Sequence, residues 1–162
     1  MVQLVAGDIL HSKAEVIAHA IAPDEEFTSG LAGAIRQKWP ALVRDFQTYR
    51  ARHPLHPGNI WVWKTPQGRR IVSLVTHEVA LTQKKGRKAG KATAAYLDHA
   101  LVALHALVRR SRAKSLAISR LATGSGGLAW GDVEPFIHEH FAGLKIPVAL
   151  YDRHRKGVKA KE

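Results

Sequence analysis

The sequence predicts a three-layer α/β/α sandwich with a mixed central sheet. Three observations lead there. Apolar stretches of strand length and of helix length alternate along the chain, which is the pattern of helices laid on a sheet. Two glycine-rich stretches each fall between an apolar strand and a helix start. The 162 residues, 46% of them hydrophobic, suffice for one core and fall short of two.

The elements follow in order. Residues 3–6 and 16–21 read as buried strands, with Asp8-Ile9 leaving the first. A helix or helix pair is expected over 30–52, broken at Pro40, with Leu31, Ile35, Leu42 and Phe46 inward. Residues 59–64 and 70–76 are rich in β-formers and flank the turn Thr65-Pro66-Gln67-Gly68, so they read as a hairpin. Residues 77–90 are polar, basic and glycine-containing and read as a loop. Leu97, Leu101, Leu104 and Val108 recur at helical spacing, and 115–119 is a short strand. The second glycine loop, 123–127, leads into a helix over 130–141 with Asp132, Glu134 and Pro135 placed in its first turn. The last strand is expected at 147–151. One domain over 1–152, followed by a basic disordered tail at 153–162, completes the expectation.

Composition narrows the function. No run of eighteen apolar residues suggests a membrane span, and no basic then apolar leader suggests export, so a cytoplasmic protein is expected. The chain has no cysteine, which excludes disulfides, thiolate metal sites and cysteine nucleophiles. Of its ten histidines, His138 and His140 are two apart and His99 and His105 six apart, so neither pair shares a helical face as zinc ligands would; no metal is expected. The 25 Lys and Arg against 13 Asp and Glu leave a formal charge of +12, concentrated in 84–91, 109–112 and the tail. Each run alone reads as solvated surface, and together they point to a polyanionic partner.

Residues with binding chemistry cluster at strand-to-helix junctions. The loop Thr123-Gly124-Ser125-Gly126-Gly127-Leu128 can turn backbone amides toward one anion, though without the lysine of a P-loop. Gly30 and Leu31 open the helix after the second strand, where amides and the helix dipole also favour an anion. Helix packing and a tight turn are the alternative roles for these glycines. Two such starts at one sheet edge could hold a diphosphate between them. Asp8 could accept a hydrogen bond from an exocyclic amine or cap its own turn, and Tyr151 could support a base or simply close the core edge.

In this order the segments resemble the macrodomain family, and within it the subclass of the terminal ADP-ribose protein glycohydrolase and the DNA ADP-ribosyl glycohydrolase antitoxins. Three segments carry the resemblance: Gly7-Asp8-Ile9; Ala18-His19-Ala20-Ile21-Ala22-Pro23-Asp24 with Gly30-Leu31-Ala32; and the loop from Gly124 with Trp130-Gly131-Asp132-Val133. It implies ADP-ribose as ligand and ADP-ribosylated proteins as partners. Asp8 and Ile9 would meet adenine, and Tyr151 with Asp152 would flank the adenosine. His19, Ala22, Gly30 and Leu31 would line the distal ribose and diphosphate, and the loop from Thr123 to Leu128 would wrap the phosphates.

The catalytic side chains of that subclass are missing. Where its glycohydrolases carry a lysine after the threonine ending the central strand, Thr76 is followed here by His77 and Glu78; their loop acid corresponds to Gly126; and no asparagine stands in the His19 segment. The expectation is therefore water attack, without a cofactor, on mono-ADP-ribosyl esters of protein acidic side chains, with His77 or Asp24 as base. The alternatives are an ADP-ribose reader without catalysis and a nucleic-acid-binding protein with a vestigial pocket. The basic surface would in either case add weak contact with nucleic acid or poly-ADP-ribose.

Overall fold

The structure is a computed structural model that describes residues 1–79, 81–83, 86–88 and 90–162. Its main sheet holds β1 (Val2–Gly7), β2 (Val16–Ile21), β3 (Ile60–Lys64), β4 (Arg70–Val75), β7 (Leu116–Ile118) and β8 (Val148–His154), in the order β1-β8-β7-β2-β4-β3. Neighbours are parallel except β3, which runs antiparallel to β4 across the expected Thr65 to Gly68 turn. The sheet is thus mixed, and helices cover both faces, as the sequence predicts.

Alternation along β2 assigns the faces. Ile17 and Ile21 pack with Ile71 and Val75 beneath α1 (Gly30–Lys38) and α2 (Pro40–Arg52), which contribute Ile35, Leu42 and Phe46. Val16 and Ala18 pack with Val72 and Leu74 beneath α3 (Ala94–Arg110) and α4 (Trp130–Phe141), which contribute Leu97, Leu101, Leu104, Val133, Ile137 and Phe141. Pro40 is the first residue of α2, where its missing amide costs no intrahelical bond. Thr93 caps α3 by accepting from the Tyr96 amide at 3.2 Å.

Three expectations are corrected. Residues 77–90 are not all loop, because β5 (Leu81–Gln83) and β6 (Gly86–Lys88) pair antiparallel; Lys84, Lys85 and part of the basic run lie outside the described residues. Pro135 sits in the interior of α4 rather than its first turn, which holds Asp132 alone of the two acids. There it withholds an amide from the helix ladder. The segment expected as a disordered tail also packs. β8 continues to His154, the Arg155 amide donates to the Gly7 carbonyl (3.0 Å) and the Asp8 amide to the Val158 carbonyl (2.7 Å). Ala160 is buried against Gly7, where even a methyl group in place of hydrogen would lie 2.9 Å from it. Apolar burial and backbone pairing thus hold a segment whose composition is mostly charged.

Candidate functional site

At the carboxyl ends of the parallel strands lies a cavity of about 830 Å³, within the usual size of small-molecule sites. Its walls come from the end of β1 (Gly7, Asp8, Ile9), the start of α1, the residues after β7 (Ser119, Arg120), and Tyr151, His154 and Lys156.

The α1 wall is built for close approach. Phe27 takes a left-handed backbone conformation (φ 55°) and is fully buried, its ring 5.3 Å from that of Phe46. The Glu25 carboxylate secures this turn by accepting from the Phe27 amide at 3.0 Å. Thr28 and Ser29 follow at the cavity edge, and Ser29, in the cap position, makes no side-chain cap bond. Ser29 therefore leaves the first-turn amides of α1 uncapped by its side chain, and with the helix dipole they favour an anion. Gly30 has φ 57°, a conformation that suits glycine. Gly30, Gly33, Ala34 and Gln37 recur at helical spacing along the wall.

The cavity is electropositive. Arg36, Arg120, His154 and Lys156 line it, against Asp8 as the one carboxylate in its lining. Arg120 is fixed over the Trp130 ring, 4.9 Å from its centroid, and donates to the Asp152 carbonyl at 3.3 Å. Asp8 accepts from the Leu10 amide through Oδ1 and from the Gly157 amide through Oδ2, both at 3.0 Å. Burial opposes its ionisation, but those two amides and the nearby His154 and His11 outweigh it and hold its pKa below the usual value. Each carboxylate oxygen keeps a further lone pair for a ligand donor. Tyr151 is buried and its hydroxyl donates to Glu162 (2.6 Å); burial, then that bond, raise its pKa.

Of the residues singled out in the sequence, Asp8, Ile9, Gly30, Leu31 and Tyr151 line this cavity, and the others do not. His19 is buried in the sheet, its Nε2 2.7 Å from Ser73 Oγ, and burial pushes its pKa down to about 4. Ala22 accepts from the Glu25 amide through its carbonyl, Asp24 is half-buried in the same turn, and Asp152 contributes its carbonyl to Arg120.

The glycine loop forms its own arrangement. The Leu128 amide donates to the carbonyl of Ala122, itself left-handed (φ 58°), and the Gly127 amide to that of Gly124. His77 is buried beneath it. Its Nδ1 lies 2.8 Å from Thr76 Oγ1, and its Nε2 3.5 Å from Ser125 Oγ. Burial lowers the His77 pKa, opposed in part by the Ile21 carbonyl. A Cβ on Gly126 would stand 2.6 Å from both His77 Nε2 and the Ala122 carbonyl oxygen, so glycine there is a packing requirement.

Sequence reasoning missed Arg36, Arg120, His154 and Lys156. The stripe from Gly30 to Gln37 and the position of Arg120, three residues before the glycine loop, were available signals. His154 and Lys156 had none, since only the fold returns them to the cavity. Among the described residues no cluster of metal-ligating side chains occurs, and no helix is long and apolar enough to cross a membrane.

A cavity at the carboxyl ends of parallel strands, beside a glycine-led helix start, is where open α/β sheets bind their ligands, so the chain is a ligand-binding α/β domain by its architecture. The Macro domain family model matches residues 18–137, and the chain belongs to that family. It is 25% identical over 144 residues to the DNA ADP-ribosyl glycohydrolase of Mycobacterium tuberculosis, a match covering 89% of this chain and 40% of that relative. The chain thus spans less than half of that protein. The macrodomain of Thermus aquaticus DarG superposes with a TM-score of 0.79 at 22% identity, covering 94% of this chain and 98% of that one. Thermosipho africanus DarTG in complex with ADP-ribose gives 0.79 at 20% identity, covering 98% of this chain and 42% of that one.

Proposed function

We propose that this domain binds ADP-ribose in the strand-edge cavity and hydrolyses ADP-ribosyl groups from modified proteins, acting on mono-ADP-ribosyl esters of acidic side chains. The observation that carries the reading is the distribution of charge in the cavity: one acidic acceptor at Asp8 and, around it, an uncapped helix start with Arg36 and Arg120. Adenine offers an amine to the first, and a diphosphate suits the second. That the structure of a similar protein was solved in complex with ADP-ribose supports the same ligand.

For the chemistry, Thr76, His77 and Ser125 form a polar string. With its pKa lowered, His77 is neutral at pH 7; if Nδ1–H donates to Thr76, Nε2 is left to accept from Ser125, whose oxygen can then orient a water. His77 acts through Ser125 in this scheme, which requires the distal ribose to extend past the cavity lining to the glycine loop, and Asp24 is the alternative base. Attack by that water on the anomeric carbon releases the carboxylate, with the water proton passing to the base.

The experiment is release of labelled ADP-ribose from a glutamate-modified protein, run beside an ADP-ribosylated DNA oligonucleotide. The name of the mycobacterial relative and the +12 charge favour DNA as a second carrier. Protein-linked release that falls tenfold to a hundredfold in His77→Ala supports the proposal. Borohydride should trap no adduct, since no lysine follows Thr76. Retention of label together with measurable ADP-ribose affinity would make the domain a reader, a reading that the burial of His77 favours.

A further inference from the structure

We propose that the amino-terminal edge of the parallel strands, opposite the cavity, is a second binding surface that docks on the phosphate backbone of duplex nucleic acid. The topology gathers cations there from four places in the sequence. Lys64 ends β3 and is paired directly across from Arg70, which begins β4. Arg70 is in turn the register partner of Val16, and Val16 of Leu116, so Lys114 enters from just before β7. Arg109, at the end of α3, and Arg112, just beyond it, arrive on the same edge, where the Ala113 amide turns back to the Val108 carbonyl. Arg69 sits beside Arg70 and donates to the Ser12 carbonyl at 2.6 Å.

These side chains are only partly compensated. Among the described residues none of the six forms an ion pair within 4.0 Å. Glu15 lies between them, its Oε2 accepting from the Lys114 amide (2.8 Å), and Glu162 bonds Ser12 and Tyr151; these two carboxylates leave the edge with an excess of positive charge. Like charges placed directly across a strand pair oppose folding. Arg69 also contributes, after burial, to the lowered pKa of Lys38. An edge that keeps more cations than carboxylates is suited to external counterions, and a duplex backbone supplies phosphates at regular spacing. The six supply charge and hydrogen-bond donors but no aromatic platform for bases, which favours backbone contact over single-strand recognition. The length of β2, six residues, puts this edge about 20 Å from the cavity, so both surfaces can be occupied at once.

The test is titration of a fluorescent 20-base-pair duplex with the full chain at several salt concentrations. The triple variant Lys64→Gln, Arg70→Gln, Lys114→Gln should lose at least tenfold in duplex affinity, and its salt slope should fall by about three. Its melting temperature should hold or rise, and its ADP-ribose affinity should not change. Should that variant fail to fold, Arg109→Ser with Arg112→Gly removes two charges, and glycine fits the left-handed Arg112 (φ 54°). Saturating ADP-ribose should leave duplex binding intact. Unchanged duplex affinity in a folded variant, displacement of duplex by ADP-ribose, or tighter binding of single strand or poly-ADP-ribose than of duplex would each overturn the proposal. Because ADP-ribose affinity is read separately, loss of the cavity function leaves this result interpretable.

Discussion

His19, buried between Ile17 and Ile21, couples stability to pH. Its pKa falls from 6.5 to about 4 on folding, so between those values the unfolded chain binds a proton that the folded one does not. The contribution is fully present above pH 6.5 and is lost as pH falls toward 4, which at pH 4.5 amounts to about 2–3 kcal/mol. His77 shifts in the same direction. Denaturant unfolding at pH 7.5 and 4.5 should show a smaller acid destabilisation in His19→Gln than in the parent; equal losses would refute the assignment. Asp8 has two tasks at once, facing the cavity and anchoring the Gly157 amide. Asp8→Ala should weaken ADP-ribose binding by about 1–3 kcal/mol by calorimetry, as expected for a lost buried acceptor. The same variant should speed proteolysis within residues 155–162, because one of the tail's hydrogen bonds goes with it.

Among elements, the glycine loop separates two roles that its sequence runs together. A Cβ on Gly124 meets nothing within 4 Å, whereas one on Gly126 meets His77 and the Ala122 carbonyl. Gly126→Ala should therefore lower the melting temperature by several degrees, consistent with the roughly 1–3 kcal/mol of overpacking. Gly124→Ala should leave it unchanged, and Gly124→Val should abolish ADP-ribose binding by calorimetry without unfolding the domain; unchanged affinity would remove the loop from the site. A Gly126→Ala protein as stable as its parent would mean that the loop yields freely. The helix over 130–141 and the break at Pro40 were readable because hydrophobic period and proline chemistry are local. The β5–β6 pairing was not, since a short polar hairpin has no apolar alternation to announce it.

For the whole molecule, the carboxyl-terminal segment is a wall of the cavity. Ending the chain after His154 would remove Lys156 from the lining, the Gly157 amide from Asp8 and Glu162 from Tyr151 and Ser12. Such a truncation should lower both the melting temperature and ADP-ribose affinity, the latter by tenfold or more; unchanged affinity would make the segment a structural strap alone. The sequence by itself determined the three-layer architecture and the inward faces of its helices, and it singled out Asp8, Gly30 and Tyr151, which line the cavity beside Ile9 and Leu31, two residues named through the family resemblance. Periodicity and strand-to-helix junctions are local properties, and such junctions fall at one edge of a parallel sheet. Tertiary structure alone decided that His19 is core, that His77 is shielded beneath Gly126, and that His154 and Lys156 join the site. It also gathered Lys64, Arg70, Arg112 and Lys114, scattered along the chain, on one edge. These outcomes depend on which strands become neighbours and where the chain turns back, and a charged segment records in its own composition neither its partners nor its burial.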